Sequence, residues 1–472
     1  MRKIAIIGAG SIVFCKTLIL DVLATPGLED TVFSLMAPST RRTSQVSAFV
    51  NRVIAENRLP ARIEVTTDRR EALRDASFVI ATLQIGGNEA FGLDIDIPLR
   101  YGVDQCIGDS MGPGGIFRAA RTIPVMLDLA QDMKELCPDA LLLNYVNPMA
   151  MVCTALQESG IRSVGLCHGV QTTLDLIAGY ADVPKKEIDF LCAGINHMGW
   201  FLKLSHKGED LYPRLRERIE SAAYYANEKV RGEVFRHTGY LMTESTGHLS
   251  EYLPWFRKNR ATLDTYCDEP AFGGETGAAY RFGLAVDRKY GGDMLLENEP
   301  PTLPTRSVEY GSYIIEAVSL NRPFTFNGNI RNEGFITNLP DGACVEVPVT
   351  ADASGLHPHF AGALPPICAA MNLTNILAQQ LGAEAAITGD PELLAQAVSM
   401  DPLTAAVLSL REIRDMTAEL LEAQRRWLPQ FEGKSVRRLP PIPIHSDLER
   451  VWVPVDPALA ILARFGELGK EE

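Results

Sequence analysis

Apolar residues in the first part of the chain alternate between short continuous runs and a longer stretch with helical spacing. Short apolar runs of this kind are typical of buried strands. They lie at residues 3–7, 31–36, 63–66, 78–83 and 140–145. Residues Ile12 to Leu23, after the first run, place apolar side chains at helical spacing. Strands that alternate with helices predict an α/β fold, with a parallel sheet covered by helices.

The turn between the first strand and the first helix is rich in glycine. Gly8 permits a tight turn, and Gly10 lets the backbone approach a pyrophosphate at the helix N-terminus. Val13 stands where the third glycine of a dinucleotide fingerprint falls. Gln84 lies in a loop after the fourth strand, suited to a nicotinamide ribose. We predict that the dinucleotide is bound by six residues: Gly8, Gly10, Ser11, Ile12, Gln84 and Asn147.

The end of the second strand leaves the choice of dinucleotide open. An acidic residue that binds the adenosine ribose is expected there, but Ala37 follows Met36. Arg41 and Arg42 lie nearby and either tolerate a 2′-phosphate or are a solvated helix start. The sequence is therefore compatible with NAD and with NADP.

Polar residues follow several strands at the sheet edge where α/β enzymes bind ligands. Asn147 follows the strand at residues 140–145, and Asp109 lies beside a glycine-rich stretch as a polar contact or a helix N-cap. Cys167 follows another apolar run, and His197 lies in a similar segment 30 positions later. A thiolate and an imidazole can bind a divalent metal. The alternative is a buried thiol and a core histidine, which the spacing alone favours.

The second half of the chain gives fewer signals. His248 and Tyr252 are four residues apart, so they share a face if they lie on a helix. There they are either a base and a second polar group in a pocket or core residues. Residues 210–237 predict a charged helical run, and Tyr266 to Thr305 predict an irregular lid or oligomer contact. We expect two domains, 1–195 and 196–472.

Composition narrows the class of protein. The chain has 472 residues and a net charge of −14, which argues against a nucleic-acid partner. We expect no signal peptide and no membrane span, because the N-terminal apolar run is short and interrupted by glycine. Nine scattered cysteines suggest reduced thiols. A cytoplasmic protein is predicted.

Several separated motifs, in order along nearly the whole chain, resemble glycoside hydrolase family 4. The resemblance is strongest to its bacterial α-galactosidase (melibiase) branch. The motifs are Gly8-Ala9-Gly10-Ser11, Gly112-Pro113-Gly114-Gly115 with Arg121-Thr122-Ile123-Pro124, Asn147-Pro148, Cys167-His168, Gly194-Ile195-Asn196-His197 and Asn338-Leu339-Pro340.

The resemblance implies a fold and an activity. The fold is an N-terminal Rossmann-like dinucleotide-binding domain with a C-terminal α+β domain, as in lactate and malate dehydrogenases. The activity is hydrolysis of a small-molecule α-glycoside by oxidation at C3, elimination and water addition, with NAD and Mn²⁺ or a similar divalent metal. An α-galactoside is the expected substrate. An α-glucoside, an α-glucuronide or an α-galacturonide is the alternative, and a homodimer or homotetramer is expected.

The same resemblance implies roles for individual residues. It makes Cys167 and His197 metal ligands, and it makes Asp109 an active-site acid. Asn147 then binds the sugar hydroxyls near the nicotinamide, and His168 donates a proton or binds the sugar. The catalytic base is left open between His248, Tyr252 and Glu244. Glu244 is alternatively a residue that binds the sugar. Gly169 stands where the melibiase branch typically has serine. Glycine at this position resembles the members that act on uronic acids.

A 2-hydroxyacid dehydrogenase is the alternative from another enzyme class, since it shares the Rossmann start. Such an enzyme requires an arginine that holds the substrate carboxylate and a His–Asp proton relay, with no thiolate-bound metal. Accumulation of NADH with a hydroxy acid would favour it.

Overall fold

Six parallel strands form the first part of the sheet. They are β1 (Lys3–Ile7), β2 (Val32–Met36), β3 (Arg62–Thr66), β4 (Phe78–Ala81), β5 (Leu141–Asn144) and β6 (Ser163–Leu166). Their spatial order is β3-β2-β1-β4-β5-β6. Apart from the edge strand β3, they are mostly apolar, as expected of parallel strands that helices cover on both faces. This is the strand order of a Rossmann fold, so the predicted α/β class is confirmed.

The computed structural model describes residues 2–290, 296, 299–454, 456 and 458. The helices of the first half are α1 (Ile12–Leu23), α2 (Thr40–Glu56), α3 (Arg69–Leu73), α4 (Gly87–Arg100), α5 (Gly112–Leu136), α6 (Met149–Ser159) and α7 (Gly169–Ala181). The sequence pattern predicted α1 with the bounds that the structure shows.

Six further strands continue the same sheet. They are β7 (Ile188–Ile195), β8 (Met198–His206), β9 (Glu209–Asp210), β10 (Phe324–Arg331), β11 (Cys344–Asp352) and β12 (Gly355–Pro358). β10 pairs antiparallel with β6, with Gly328 opposite Leu166, and β11 then pairs with β10 and β7. The end of β6 therefore lies inside a twelve-stranded sheet, between the parallel and antiparallel parts.

The remaining helices follow β9. They are α8 (Tyr212–Ile219), α9 (Ala222–Tyr225), α10 (Lys229–Thr238), α11 (Thr246–Tyr252), α12 (Arg260–Tyr266), α13 (Ala278–Tyr290), α14 (Tyr310–Leu320), α15 (Pro366–Thr388), α16 (Pro391–Met400), α17 (Pro402–Val407) and α18 (Leu410–Ala423). The charged run after residue 210 is thus divided into three helices.

The prediction of an irregular segment from Tyr266 to Thr305 is wrong in its middle, where α13 forms. α13 packs on α4 through Tyr280, whose ring lies edge-on to Phe91 at 5.8 Å between centroids. Gly283 within α13 lowers helix propensity, so tertiary contacts stabilise this helix. Residues 291–295 and 297–298 of the segment lie outside the described residues.

Residues up to Arg437 form one compact unit, and the chain from Arg438 onward forms another. Residues 438–454 contain no regular secondary structure. Within the described part of the chain, none of the helices has the length and apolar character needed to cross a membrane. The division into domains at residue 195 stays a prediction.

Candidate active site

A cavity of about 420 Å³ lies at the C-terminal ends of β1, β2 and β4. All five predicted dinucleotide contacts around the glycine turn and β4, namely Gly8, Gly10, Ser11, Ile12 and Gln84, line it. Gly8 has a φ of 93°, and an added Cβ would lie 2.6 Å from the backbone nitrogen of Leu83. A Cβ on Gly10 would meet no described atom within 4 Å, so this residue faces open space. The turn has the form that a dinucleotide pyrophosphate requires.

The adenosine end of this cavity contains a carboxylate that sequence reasoning missed. Asp287, on α13, lines the cavity together with Ala37 and Arg42. One oxygen of Asp287 pairs with Arg42 Nη2 at 2.8 Å, and the other accepts a hydrogen bond from Asn88 Nδ2. A carboxylate from a distant helix therefore lies in the same cavity as Ala37, where the sequence lacks an acid. No signal in the local sequence could have found it.

A second cavity, of about 390 Å³, adjoins the first, and Ser11 and Thr82 line both. Besides Ser11, it is lined by seven further predicted site residues: Asp109, Asn147, Cys167, His168, His197, Glu244 and His248. Asn147 lines this second cavity and not the first, although it was also predicted to contact the dinucleotide. Tyr252 is not among the described lining residues of either cavity.

Cys167, His197 and Glu244 form the one group of described residues with donor atoms placed to bind a metal ion, and these atoms lie within 4.8 Å of one another. Cys167 directly follows β6, and His197 lies in the turn between β7 and β8. Glu244 lies two residues before α11. Thiolate, imidazole and carboxylate bind divalent transition metals at about 2.0–2.3 Å, so donors within this separation fit one ion. Glu244 was predicted as a base or sugar contact, not as part of this group.

His197 is held in the neutral form that binds metals. Its side chain is buried, and burial lowers the pKa of its imidazole to about 4. Its Nδ1 shares a hydrogen bond of 2.9 Å with the hydroxyl of Tyr252, which leaves Nε2 free to face the other donors. Tyr252 is 2% exposed and lies behind His197. A second residue that fixes a metal-binding histidine in this way is common in metal sites.

The surroundings of Cys167 favour its thiol over its thiolate. Burial, with the neighbouring charges of Glu244 and Glu346, raises the pKa of Cys167 well above its ordinary value. Since only the thiolate is a metal ligand, binding of an ion there would release a proton.

His248 and Glu244 extend the polar wall of the cavity. The rings of His248 and His197 meet edge-on with centroids 4.4 Å apart, and His248 Nδ1 lies 3.8 Å from Glu244 Oε2. The predicted helix that places His248 and Tyr252 on one face is confirmed as α11. The rings of His248 and Tyr252 both contact the ring of His197.

Asp109 and Asn147 form a hydrogen-bonded pair in the lining of the same cavity. Asn147 Nδ2 donates a 3.0 Å hydrogen bond to Asp109 Oδ2, and Ser110 Oγ donates one of 2.7 Å to Oδ1. Burial alone would raise the pKa of Asp109, but the charges of Arg118 and then His248 lower it below its ordinary value. The carboxyl is therefore ionised. Met111, not Asp109, is the N-cap of α5, so the alternative of a helix cap is wrong.

The segment before Asp109 is held by a buried carboxylate that the sequence analysis did not single out. Glu251, on α11, accepts hydrogen bonds from the backbone N–H groups of Ile107 and Gly108, the latter at 3.0 Å. Glu251 is 2% exposed. It therefore fixes the backbone that presents Asp109.

His168 stands at the mouth of the cavity with its side chain 52% exposed. Its Nδ1 lies 3.4 Å from Oε1 of Glu309, a residue that sequence reasoning missed. The hydrogen bond to Glu309 raises the pKa of His168, so the ring holds a proton more readily than an ordinary histidine. A half-exposed protonated imidazole suits proton donation to a leaving group.

The Rossmann-type sheet order and a ligand-sized cavity at its strand ends are typical of enzymes that bind a dinucleotide. Residues 3–183 match the family 4 glycosyl hydrolase model, and residues 192–404 match the model of the family 4 glycosyl hydrolase C-terminal domain. The chain belongs to family 4 of the glycosyl hydrolases. The resemblance predicted from the motifs is confirmed, and the chain is a glycoside hydrolase.

Two similar proteins are α-galactosidases. That of Rhizobium meliloti (strain 1021) is 40% identical over 438 residues, which cover 91% of this chain and 89% of the relative. That of Bacillus subtilis (strain 168) is 40% identical over 445 residues, which cover 92% and 100%. The chain also resembles the crystal structure of a 6-phospho-α-glucosidase from gut microorganisms in complex with NAD and Mn²⁺, with a TM-score of 0.72 and 19% identity over 91% of this chain and 99% of that one. The last likeness shows a shared fold.

Proposed function

We propose that this chain is an α-glycosidase that prefers α-galactosides and uses NAD and a divalent metal ion such as Mn²⁺. The observation that carries the proposal is the group formed by Cys167 and His197, in a cavity that shares Ser11 and Thr82 with the dinucleotide cavity. The two similar α-galactosidases match this chain over nearly their whole length. When bound, the dinucleotide accepts and returns a hydride, and the metal ion polarises sugar hydroxyl oxygens.

The residues present fit both groups. Gly10 leaves open space above the glycine turn, where a Cβ would otherwise intrude on a pyrophosphate. The side chain of Ser11, the N-cap of α1, makes no capping hydrogen bond among the described residues, so N–H groups of the helix remain for an anion. Cys167 and His197 supply the borderline-soft donors suited to a divalent transition metal.

Asp109 and Asn147, which line the second cavity, bind the sugar. The ionised Asp109 accepts hydrogen bonds from sugar hydroxyls, and Asn147, oriented by its bond to Asp109, offers both a donor and an acceptor. These residues hold the sugar carbon atoms against the nicotinamide end of the dinucleotide cavity.

Proton transfers are assigned to two histidines. His168 donates a proton to the leaving group, because its ring is half-exposed and its proton is stabilised by Glu309. His248 is the base, because it lines the cavity next to the donor group, whereas Tyr252 lies behind His197. Each ring has room to exchange its proton with water, as general acid–base catalysis requires.

The adenosine end of the first cavity favours NAD over NADP. A 2′-phosphate would meet the carboxylate of Asp287, and Arg42, the cation that could bind it, is already paired with that carboxylate. The ribose hydroxyls of NAD can instead donate to Asp287.

A uronic acid is the second candidate substrate, because glycine at position 169 resembles the residue found in family members that act on uronic acids. Binding a sugar carboxylate usually requires an arginine or a lysine. The described lining of the sugar cavity contains neither, and it contains the carboxyl groups of Asp109 and Glu244. The charge of the cavity therefore favours a neutral sugar over a uronic acid.

The test is cleavage of a panel of aryl glycosides by reduced enzyme with NAD⁺ and Mn²⁺. The α-galactoside should be cleaved fastest, ahead of the α-glucoside and the α-galacturonide. Cys167→Ser should abolish cleavage, whereas Cys137→Ser, at a buried cysteine after α5 and outside both cavities, should retain it. A faster α-galacturonide would contradict the preference, and no cleavage of any glycoside would contradict the proposal.

The domain division at residue 195, a homodimeric or homotetrameric state and a cytoplasmic location are proposed with this function. The family matches end at residue 183 and resume at residue 192, which supports the division. A thiolate ligand needs a reducing compartment, which supports the location. Light scattering after size-exclusion chromatography tests the oligomeric state, and a monomer would contradict it.

A further inference from the structure

We propose that Glu244 is a third protein ligand of the divalent ion, and that Gly169 is the residue that leaves space for its carboxylate. The inference rests on the proposed function, because it concerns the ion that Cys167 and His197 would bind. It assigns Glu244 to the metal and leaves the role of base to His248.

The first observation is steric. A Cβ built on Gly169 would lie 1.6 Å from Glu244 Oε1 and 2.8 Å from its Cδ. Real non-bonded atoms do not approach so closely, so a side chain at position 169 and the carboxylate of Glu244 occupy the same space. The backbone of Gly169 has no left-handed φ, so the glycine is needed here for space and not for conformation.

The second observation is how the carboxylate is aimed. Glu244 has a φ of 76°, which is rare for a residue with a side chain. The buried Arg231 holds this backbone, because its Nε donates a 2.6 Å hydrogen bond to the carbonyl oxygen of Glu244. His197 also has a left-handed backbone, with a φ of 63°. Two of the three donors are thus presented by strained backbone, which is typical of functional sites.

The third observation is charge. The Glu244 side chain is only 11% exposed, and its one ion-pair partner among the described residues is His248 at 3.8 Å. A divalent cation next to this sparsely solvated carboxylate would stabilise its negative charge. One of its oxygens lies within 4.8 Å of the donor atoms of Cys167 and His197, as three ligands of one ion must.

A side chain at position 169 is therefore incompatible with a glutamate ligand at position 244. A side chain at position 169 would push the carboxylate of Glu244 away from Cys167 and His197. Glutamate at position 244 then no longer completes the donor group. The effect of Gly169 on metal binding is exerted through Glu244, which makes it a positioning residue.

The experiment measures Mn²⁺ affinity directly, by titrating metal-free protein and following the electron paramagnetic resonance signal of free Mn²⁺. Glu244→Gln keeps the size of the side chain and removes its charge, so it tests metal ligation without leaving an empty space in the structure. We expect it to raise the Kd for Mn²⁺ at least about tenfold, since even residues behind the ligands of a metal cost that much. Gly169→Ala should weaken binding by a similar factor.

A double-mutant cycle separates this mechanism from general damage at position 169. Glu244→Ala removes the clashing carboxylate, so adding Gly169→Ala to it should weaken Mn²⁺ binding no further. Gly179→Ala is the matched control, because Gly179 lies on the same helix, exposed and with no described atom within 4 Å of an added Cβ. It should bind Mn²⁺ as the wild type does.

Two results would overturn the inference. One is wild-type Mn²⁺ affinity in Glu244→Gln, and the other is a loss in Gly169→Ala that adds fully to that of Glu244→Ala. A wild-type protein that binds no Mn²⁺ would contradict the proposed function itself. Circular dichroism of each variant checks folding, and the isosteric Glu244→Gln keeps the test decisive if Gly169→Ala does not fold.

Discussion

Replacing Tyr252 by phenylalanine removes one hydroxyl group and keeps the ring that packs beneath His197. The hydroxyl shares a 2.9 Å hydrogen bond with His197 Nδ1, and Tyr252 is 2% exposed. A buried hydrogen bond of this kind contributes about 1–2 kcal/mol. Because every 1.4 kcal/mol is about tenfold in affinity, the Kd for Mn²⁺ should rise about 5- to 30-fold. This agrees with the loss of about 10- to 100-fold usual for residues that orient a metal ligand.

The assay is the titration of metal-free protein with Mn²⁺, followed by glycoside cleavage at saturating Mn²⁺. Tyr252→Phe should lose affinity and recover most of its activity once Mn²⁺ is saturating. Tyr101→Phe is the matched control, because that hydroxyl bonds to Glu419 and lines neither cavity. Unchanged Mn²⁺ affinity with activity lost at saturating Mn²⁺ would refute the reasoning and make Tyr252 the base.

Three further predictions concern other parts of the molecule. Asp287→Asn should free Arg42 and raise the ratio of NADP⁺ to NAD⁺ affinity roughly tenfold, measured by calorimetry; an unchanged ratio would contradict the assignment of the adenosine end. Burial raises the pKa of Glu251 to about 7, so between its ordinary value of about 4.5 and pH 7 the folded state binds more protons than the unfolded state. Stability should fall over that range by up to about 3 kcal/mol as pH rises, and Glu251→Gln should lack this fall in urea unfolding; parallel pH profiles would contradict it. Asp401→Ala should cost about 2–4 kcal/mol in urea unfolding, because Asp401 caps α17 and accepts the N–H of Gly112 at 3.1 Å; a loss below 1 kcal/mol would contradict it.

The parallel half of the sheet was predictable because its strands are buried on both faces. Their apolar runs stand out against the helices between them, so β1 and α1 have the bounds that the pattern gives. The antiparallel half was not predictable in position. β10 pairs with β6 across more than 150 residues of sequence, and no local pattern specifies such a pairing.

The candidate site shows the same division. Residues at strand ends, such as Asn147 and Cys167, were expected in one crevice and line one cavity. Contacts that depend on the path of distant segments were missed. Glu244 reaches Cys167 and His197 only because Gly169 has no side chain, and Asp287 reaches Arg42 only because α13 packs on α4. The sequence contains these residues but not the distances between them.

The proposed activity is tested first by cleavage of an aryl α-galactoside by freshly reduced enzyme, with NAD⁺ and Mn²⁺ each omitted in turn. Cleavage should occur with both present and should be lost when either is removed from stripped protein. No net accumulation of NADH is expected. Cleavage that persists when either NAD⁺ or Mn²⁺ is absent would contradict the proposed activity, as would steady accumulation of NADH with a hydroxy acid in place of the glycoside.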